Sequence, residues 1–319
     1  MEMDSRRIDR EGLEQFRNWA RPHYDFVWFS YMQTYIWLGE PDLGPTVVDF
    51  PDLESRKERR RVDLIRAQLT QGPLTMRARS VITYLQGWKN ADDWRRVERH
   101  VAEKVDSVVL ASTADCQLSG LSNALVVPNV VPEPLMPLGR AEPVGPPQIM
   151  FQGSSLYPPN LDAVQWLHDR VGPEIRKQIP DAQIRVVGRA TPAVERMDDP
   201  PAFTVVGRVP TMDAELARAD VVIVPMRYGG GSRIKIIEAF ANKIPVVSTT
   251  LGAEGLDVEA GVHLLIADDA KGLATACHRI LSDHDLRDEI VEAAHVRYLQ
   301  RYGLDAARSA LARVASTLR

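Results

Sequence analysis

Asp220-Val-Val-Ile-Val-Pro-Met-Arg-Tyr-Gly-Gly-Gly-Ser-Arg-Ile-Lys-Ile-Ile-Glu-Ala-Phe-Ala-Asn-Lys-Ile-Pro-Val-Val-Ser248 reads as a buried strand, three glycines and a helix. The apolar run Val221–Pro225 has the length and β-branching of a strand covered on both faces. Ile234, Ile237 and Ala241 then share one helical face, Ser232 is placed to cap that helix, and it is expected to stop at Lys243, before Pro245. Gly229, Gly230 and Gly231 let backbone approach a ligand closely. A helix start offers unpaired N–H groups and positive dipole, and Arg233 and Lys235 in the expected first turn add two cations. Such a junction suits a diphosphate. Glu238, one turn further in, can accept hydrogen bonds from ribose hydroxyls. On spacing alone a plainer reading stands beside this one: a flexible turn, and a Lys235–Glu238 surface pair worth roughly 0.2–0.5 kcal/mol. The pattern is neither G-x-G-x-x-G nor a Walker A loop, so hydride transfer and P-loop chemistry gain little from it.

Outward from this stretch, short β-branched runs alternate with helix-period segments, the mark of parallel sheets built from βαβ units. In the second half the strand candidates are Ile149–Gln152, Ile184–Val187, Thr204–Val206, Val221–Pro225, Val246–Ser248 and His263–Ile266. Leu161, Val164, Leu167 and Val171 mark a helix between the first two, and Lys271–Arg301 and Leu304–Leu318 are helical. In the first half the candidates are Phe26–Phe29, Thr46–Phe50, Ser107–Ala111 and Leu125–Val127, with a long, charged helical segment from Leu53 to Val105. Pro128, Pro132, Pro134, Pro137, Pro143, Pro146 and Pro147 suit an extended linker rather than either core. The expected division is a first domain at 1–144, a second at 145–303, and a C-terminal helix at 304–319 that packs back toward the first.

The whole chain, 319 residues with 45% hydrophobic and 26% charged, is enough for two cores of roughly 150 residues each. A net charge of −4 with both signs interspersed excludes a basic nucleic-acid face and a polybasic tail. Cys116 and Cys277 are far apart and in no metal-ligand spacing, which argues against a disulfide framework and a structural zinc site. With no apolar core of a secretory signal near Met1 and no apolar run of ~20 residues, a reducing, cytoplasmic location is expected. Any membrane contact is expected to be peripheral. The segment Leu53–Val105 is arginine-rich but mixed in charge, and reads as a solvated helical face in preference to a membrane surface.

The stretch resembles the donor-site segment of GT-B glycosyltransferases of family 4, whose motif runs Gly-x-Gly-Ser/Thr-Arg-x-Lys-x-x-Glu-Ala and continues into Pro-Val-Val-Ser-Thr and Gly-Ala-Glu-Gly-Leu. The matching residues are Gly229, Gly231, Ser232, Arg233, Lys235, Glu238 and Ala239, then Pro245–Thr249 and Gly252–Leu256. Tyr157-Pro-Pro-Asn-Leu-Asp-Ala163, the strand ending Val186-Val-Gly188, and Val127-Pro-Asn129 match as well. The resemblance implies an α/β fold of the GT-B type, two Rossmann-like domains facing across a cleft, and a retaining transferase without cofactor or metal. It implies a nucleotide-diphosphate sugar as donor and a glycan, lipid-linked sugar or small molecule as acceptor. Binding would fall to Gly153, Gly188, Gly229, Gly230, Gly231, Ser232, Arg233, Lys235 and Glu238, with Arg233 and Lys235 stabilising the leaving diphosphate and Glu238 holding the ribose.

Departures from the family pattern qualify this. The first glutamate of the Glu-x7-Glu pair would fall at Gly230. The arginine and lysine common after the first C-domain strand are replaced by Gly153-Ser-Ser-Leu-Tyr-Pro-Pro-Asn160, so Arg233 and Lys235 are expected to take over the diphosphate. The run Tyr24–Tyr31 holds no histidine where the family often has one, leaving the first domain without a named catalytic residue. The chain is expected to start after the family's opening strand, glycine loop and helix, which leaves two alternatives open, a reading frame that begins late or a natural short form whose partial first domain is completed by another chain; an exposed strand edge and self-association would follow from a partial sheet. These departures keep open a weakly active or inactive nucleotide-sugar-binding or partner-binding protein, and, more weakly, a nucleotide-sugar epimerase.

Other candidates have plainer readings. Asp283-His284-Asp285 has the Asp-x-Asp metal spacing but sits between helices, where capping duty is expected. Cys277 reads as core, and Trp28 as core on a strand it shares with Phe26. Tyr35 and Trp37, beyond that strand, are the acceptor candidates.

Overall fold

Each of the ten expected strands is present in the computed structural model, which describes residues 10–71, 74–134 and 145–318, and every pairing between these strands is parallel. Parallel ladders bury both faces of a strand, which is why these strands are runs of valine, isoleucine and phenylalanine without polar alternation. The chain divides into two compact units. One comprises Met1–Pro128, Gly229–Gly231 and Arg308–Arg319, the other Asn129–Tyr228 and Ser232–Ala307. Pro137 and Pro143 of the proline-dense stretch lie outside the described residues. The part that is described does join a core: Val131 packs against the second unit, donating its N–H to Tyr302 O (3.1 Å) and accepting from the Tyr298 hydroxyl (2.9 Å).

The first unit runs α1 (Arg10–Trp19), β1 (Val27–Phe29), α2 (Met32–Trp37), β2 (Thr46–Phe50), α3 (Glu54–Gln71), α4 (Leu74–Lys104), β3 (Ser107–Leu110), α5 (Thr113–Ser119) and β4 (Ala124–Val126). Its sheet has the order β1-β2-β3-β4. Val48, Phe50, Val108 and Leu110 face α2 and the end of α4 through Met32, Tyr35, Val101 and Ala102, forming the core. Tyr35 is therefore a core residue, 4% exposed and edge-on to Phe29 at 5.2 Å, and not an acceptor platform. Trp37 is half-buried, and Phe26, just before β1, is 52% exposed. Trp28 packs on the other face of the sheet with Val47, Val109 and Val314. Helix α5 begins where Ser112 Oγ accepts from Asp115 N (3.0 Å) and ends at Gly120, whose φ of 68° a side chain would strain.

The second unit runs β5 (Gln148–Gln152), α6 (Pro158–Trp166), a π-helical turn (Leu167–Val171), α7 (Gly172–Gln178), β6 (Gln183–Val187), α8 (Pro192–Glu195), β7 (Phe203–Gly207), α9 (Asp213–Leu216), β8 (Val221–Val224), α10 (Ile234–Ala241), β9 (Val246–Ser248), β10 (Leu265–Ile266), α11 (Ala270–Ser282) and α12 (His284–Arg301). Helix α13 (Leu304–Thr317) begins here, and its residues from Arg308 on belong to the first unit. The sheet order is β10-β9-β8-β5-β6-β7. Chain order therefore reverses between β5 and β8, and the crevice beyond the carboxyl ends of those two strands is where doubly wound sheets bind ligands. Ile149, Phe151, Ile184, Val222, Ile223, Ile237 and Phe240 lie in one continuous core, all at most 1% exposed. Cys277 lies in the same core, and burial pushes its thiol up to about 12. Between α11 and α12, Asp283 caps the second helix by accepting from Leu286 N (3.1 Å).

Candidate functional site

Helix α10 is short because its sequence switches character at both ends. Ile236, Ile237, Ala239, Phe240 and Ala241 are buried on the sheet. Asn242 is the C-cap residue, and Lys243, with φ 56°, turns the chain toward Pro245, so the helix stops two residues before the expected end. At the other end the N-cap position belongs to Arg233 and not to Ser232. Ser232 is drawn aside: its hydroxyl accepts from Asn129 Nδ2 (2.9 Å), a partner from the far side of the linker. Arg233 is consequently one position ahead of the first helical turn, while Lys235 and Glu238 are one turn apart within it.

Lys235 is the centre of the arrangement. Its ammonium donates to Asn160 Oδ1 (2.9 Å) and lies 4.2 Å from the centre of the Phe151 ring. Burial, and then the positive charge of Arg233, bring its pKa down to about 7. Among the described residues it forms no ion pair. Gly153, directly after β5, leaves room for this contact: a Cβ there would stand 2.7 Å from Asn160 Nδ2 and 3.0 Å from Lys235 Nζ. Gly188, directly after β6, is required for a different reason, since its Cβ would meet Gly153 O at 2.5 Å. The two glycines thus let the neighbouring ends of β5 and β6 close on each other beside the switch point, with Gly153 N donating to Val187 O (2.8 Å).

Glu238 faces the same crevice from one turn along α10. Gln152 Nε2 donates to Glu238 Oε2 (2.7 Å) and makes a longer bond to Lys235 O (3.3 Å). Burial raises the Glu238 pKa, partly offset by that hydrogen bond and by the Lys235 charge. The second carboxylate oxygen leaves acceptor capacity for a hydroxyl donor. Arg233, 7% exposed, completes the cationic end of the helix.

The structure therefore brings Gly153, Gly188, Lys235 and Glu238 together, with Arg233 beside them. Ser232 is held in the loop through Asn129. Gly229 and Gly231 have φ of 138° and 65°, backbone that glycine alone adopts without strain, and with Gly230 they group with the first unit. Two residues of the site carried no sign in their spacing. Gln152 ends a buried strand, and its orienting role on Glu238 is visible only in three dimensions. Asn160 is in the Tyr157–Ala163 segment, where the reading of the sequence gave it no contact. The segments Pro245–Thr249 and Gly252–Leu256 shape the scaffold: Thr249 Oγ1 donates to Met226 O (2.6 Å) and accepts from Gly252 N (2.9 Å), and a Cβ on Gly252 would meet Ser248 Oγ at 2.3 Å.

Residues 146–283 match the family described as glycosyl transferases group 1. An uncharacterized 44.6 kDa protein of the cps region of Klebsiella pneumoniae is 30% identical over 132 residues, covering 38% of this chain and 34% of that protein. The match thus spans about a third of that relative's length. Among solved structures, sucrose-phosphate synthase from Thermosynechococcus elongatus superposes with a TM-score of 0.70 at 18% identity, covering 96% of this chain and 77% of the other. HepE of Anabaena, in complex with UDP-glucose, gives 0.67 at 13% identity, covering 96% and 81%. At such identities the likeness establishes the fold, which is GT-B.

Proposed function

We propose that this chain, whose residues 146–283 match the family of glycosyl transferases group 1, transfers a sugar from a nucleotide-diphosphate donor with retention at the anomeric carbon. The observation that carries the reading is Lys235: a half-buried, desolvated ammonium held by a neutral amide, beside Arg233, in the first turn of α10. Burying a lysine without a carboxylate partner costs stability, and an anion entering the crevice would offset that cost. A diphosphate fits because Arg233 and Lys235 stand at the N-cap and in the first turn of α10, where a helix offers unpaired N–H groups. When the bond from the anomeric carbon to the phosphate oxygen breaks, negative charge grows on the departing diphosphate, and these fixed donors stabilise it as it forms. Glu238, oriented by Gln152, accepts from the ribose hydroxyls, so the nucleoside is held on the same helix that binds its phosphates. The UDP-glucose complex of HepE supports a donor of this class. The acceptor is a glycan, a lipid-linked sugar or a small molecule.

The experiment is a transfer and hydrolysis assay with UDP-, GDP- and ADP-sugars, reading the anomeric configuration of the product by proton NMR. An α-linked donor should yield an α-configured product, and the β anomer would contradict retention. One observation favours a second reading, a donor-binding protein of little or no activity: position 230 is glycine, so the loop supplies no carboxylate there. Tight nucleotide binding with no turnover across donors and acceptors would select it.

A further inference from the structure

Helix α6 meets two cations from the stretch between β8 and the first turn of α10, and it treats them differently. Asp162 takes Arg227 through two parallel bonds, Nε to Oδ2 at 2.9 Å and Nη2 to Oδ1 at 2.5 Å, and the guanidinium lies 5.3 Å from the centre of the Trp166 ring, one turn further along. Asn160, two residues earlier, meets Lys235 with an amide. Pro158 and Pro159 occupy the first two helical positions and fix the turn from which Asn160 projects. Its amide has one orientation. Oδ1 accepts from the Lys235 ammonium (2.9 Å) and Nδ2 donates to Ser154 O (3.0 Å), whereas the flipped amide would turn N–H groups on a donor-only ammonium and an oxygen on a carbonyl. Ser154 is itself in a loop tied to the end of β6, where Ser155 N donates to Arg189 O (2.9 Å). From Gly153 to Asn160 the chain carries no charged residue, so the loop after β5 offers Lys235 no counter-charge. The charged groups that do act on it, Arg233 and Glu238, belong to its own segment, and the Phe151 ring faces it from β5.

We infer that Asn160 is the positioning residue that keeps the Lys235 charge available to an incoming anion, and so makes the site select a diphosphate over an uncharged nucleoside. The inference rests on the donor-site reading above. Asp162 shows the alternative within the same helix: its carboxylate neutralises Arg227 and turns it into a strut between α6 and the chain just beyond β8. An amide offers an acceptor without charge, so the ammonium is aimed but uncompensated. The Lys235 pKa of about 7 agrees with this, because a carboxylate at position 160 would favour the charged form and raise it.

The test is calorimetry of UDP and uridine binding to the full chain at pH 6 and pH 8 (about one unit either side of the Lys235 pKa) for Asn160→Asp and Asn160→Ala. The ligand's own ionisation is read from Lys235→Met and subtracted. Both variants lose the bond to Ser154 O, so a role confined to holding that loop would move them together. In the parent protein Lys235 must take up a proton at pH 8, so UDP affinity should fall about tenfold between the two pH values while uridine affinity stays level. Asn160→Asp supplies a counter-charge: its UDP affinity at pH 6 should be at least tenfold below that of the parent and nearly unchanged at pH 8. Asn160→Ala leaves the ammonium less well held, so it should stay within a few-fold of the parent at pH 6 and lose more than tenfold by pH 8. Asn160 is half-buried, and circular dichroism of both variants should match the parent. Variants whose pH profiles shift in the same direction, or an Asn160→Asp protein that binds UDP as the parent does, overturn the inference and leave the donor-site reading standing. A parent that binds UDP no more tightly than uridine removes that reading, and this inference with it.

Discussion

Two partly buried cations in the second unit are treated in opposite ways. Arg185, on β6, forms two bonds to one oxygen of Glu215, from Nε at 3.1 Å and Nη2 at 2.6 Å, and both side chains are largely buried. Lys235, on α10, is partly buried like Arg185 but has a neutral asparagine for its hydrogen-bond partner. The first charge is satisfied by the fold itself. The second is left at the mouth of the switch-point crevice with its pKa brought down to about 7, the state expected of a group whose counter-ion arrives from outside. An ion-paired charge belongs to the scaffold, whereas one whose hydrogen-bond partner is an amide marks a candidate site.

The largest effect expected from this contrast is on the scaffold side. Glu215→Ala strands a buried guanidinium and should cost about 3 kcal/mol of stability, read as a lower denaturation midpoint, with the affinity for nucleoside diphosphate preserved in the folded fraction. Lys235→Met should do the reverse. Loss of one charge-assisted contact, roughly 1.5–3 kcal/mol, should weaken UDP or its purine equivalent while sparing the free nucleoside, and the unliganded protein should melt higher. The sign with pH follows from linkage. The folded-state pKa of about 7 lies below the unfolded value, so the penalty for burying Lys235 is fully present below pH 7 and fades as pH rises toward the unfolded pKa. The gain in melting temperature from Lys235→Met should therefore be greatest at pH 6 to 7 (roughly one unit about the folded pKa) and shrink above it. A variant that melts lower than the parent at neutral pH would mean that the ammonium is stabilising and that the contrast is false.

The smallest effect is expected at Glu238. Glutamine keeps the side chain's reach and helical tolerance but weakens its acceptor, so Glu238→Gln should lose about 1 kcal/mol of affinity, equally for diphosphate and nucleoside. Unequal losses would place the carboxylate near the phosphates. Unfolding would make it structural.

The strands were legible because parallel sheets require continuous β-branched runs, and those runs stand out between charged helices; Thr46–Phe50 and Val246–Ser248 have the same bounds in sequence and structure. Helix ends were less legible, since they depend on partners distant in sequence. Ser232 has the chemistry of a cap, yet Asn129 takes its hydroxyl and Arg233 becomes the N-cap residue. Tyr35 followed a strand and could have faced solvent, but α2 folds it onto Phe29. Leu161 to Val171 keep helical spacing across a π-turn that spacing alone does not reveal. Around Lys235, the glycines and cations could be read from their types, but Gln152 and Asn160 could not, because an amide becomes significant only through the group it faces.

The central claim, that Lys235 awaits a diphosphate, is tested most directly by proton linkage. At pH 8 (about one unit above its free pKa) Lys235 is mostly neutral, and a bound diphosphate should raise that pKa and draw a proton from solvent. Calorimetry of nucleoside diphosphate binding in two buffers of different ionisation enthalpy measures this uptake. The account predicts uptake approaching one proton at pH 8, little at pH 6, and none for Lys235→Met at either pH. Uptake at pH 8 that is absent in the parent, or unchanged by Lys235→Met, would contradict it.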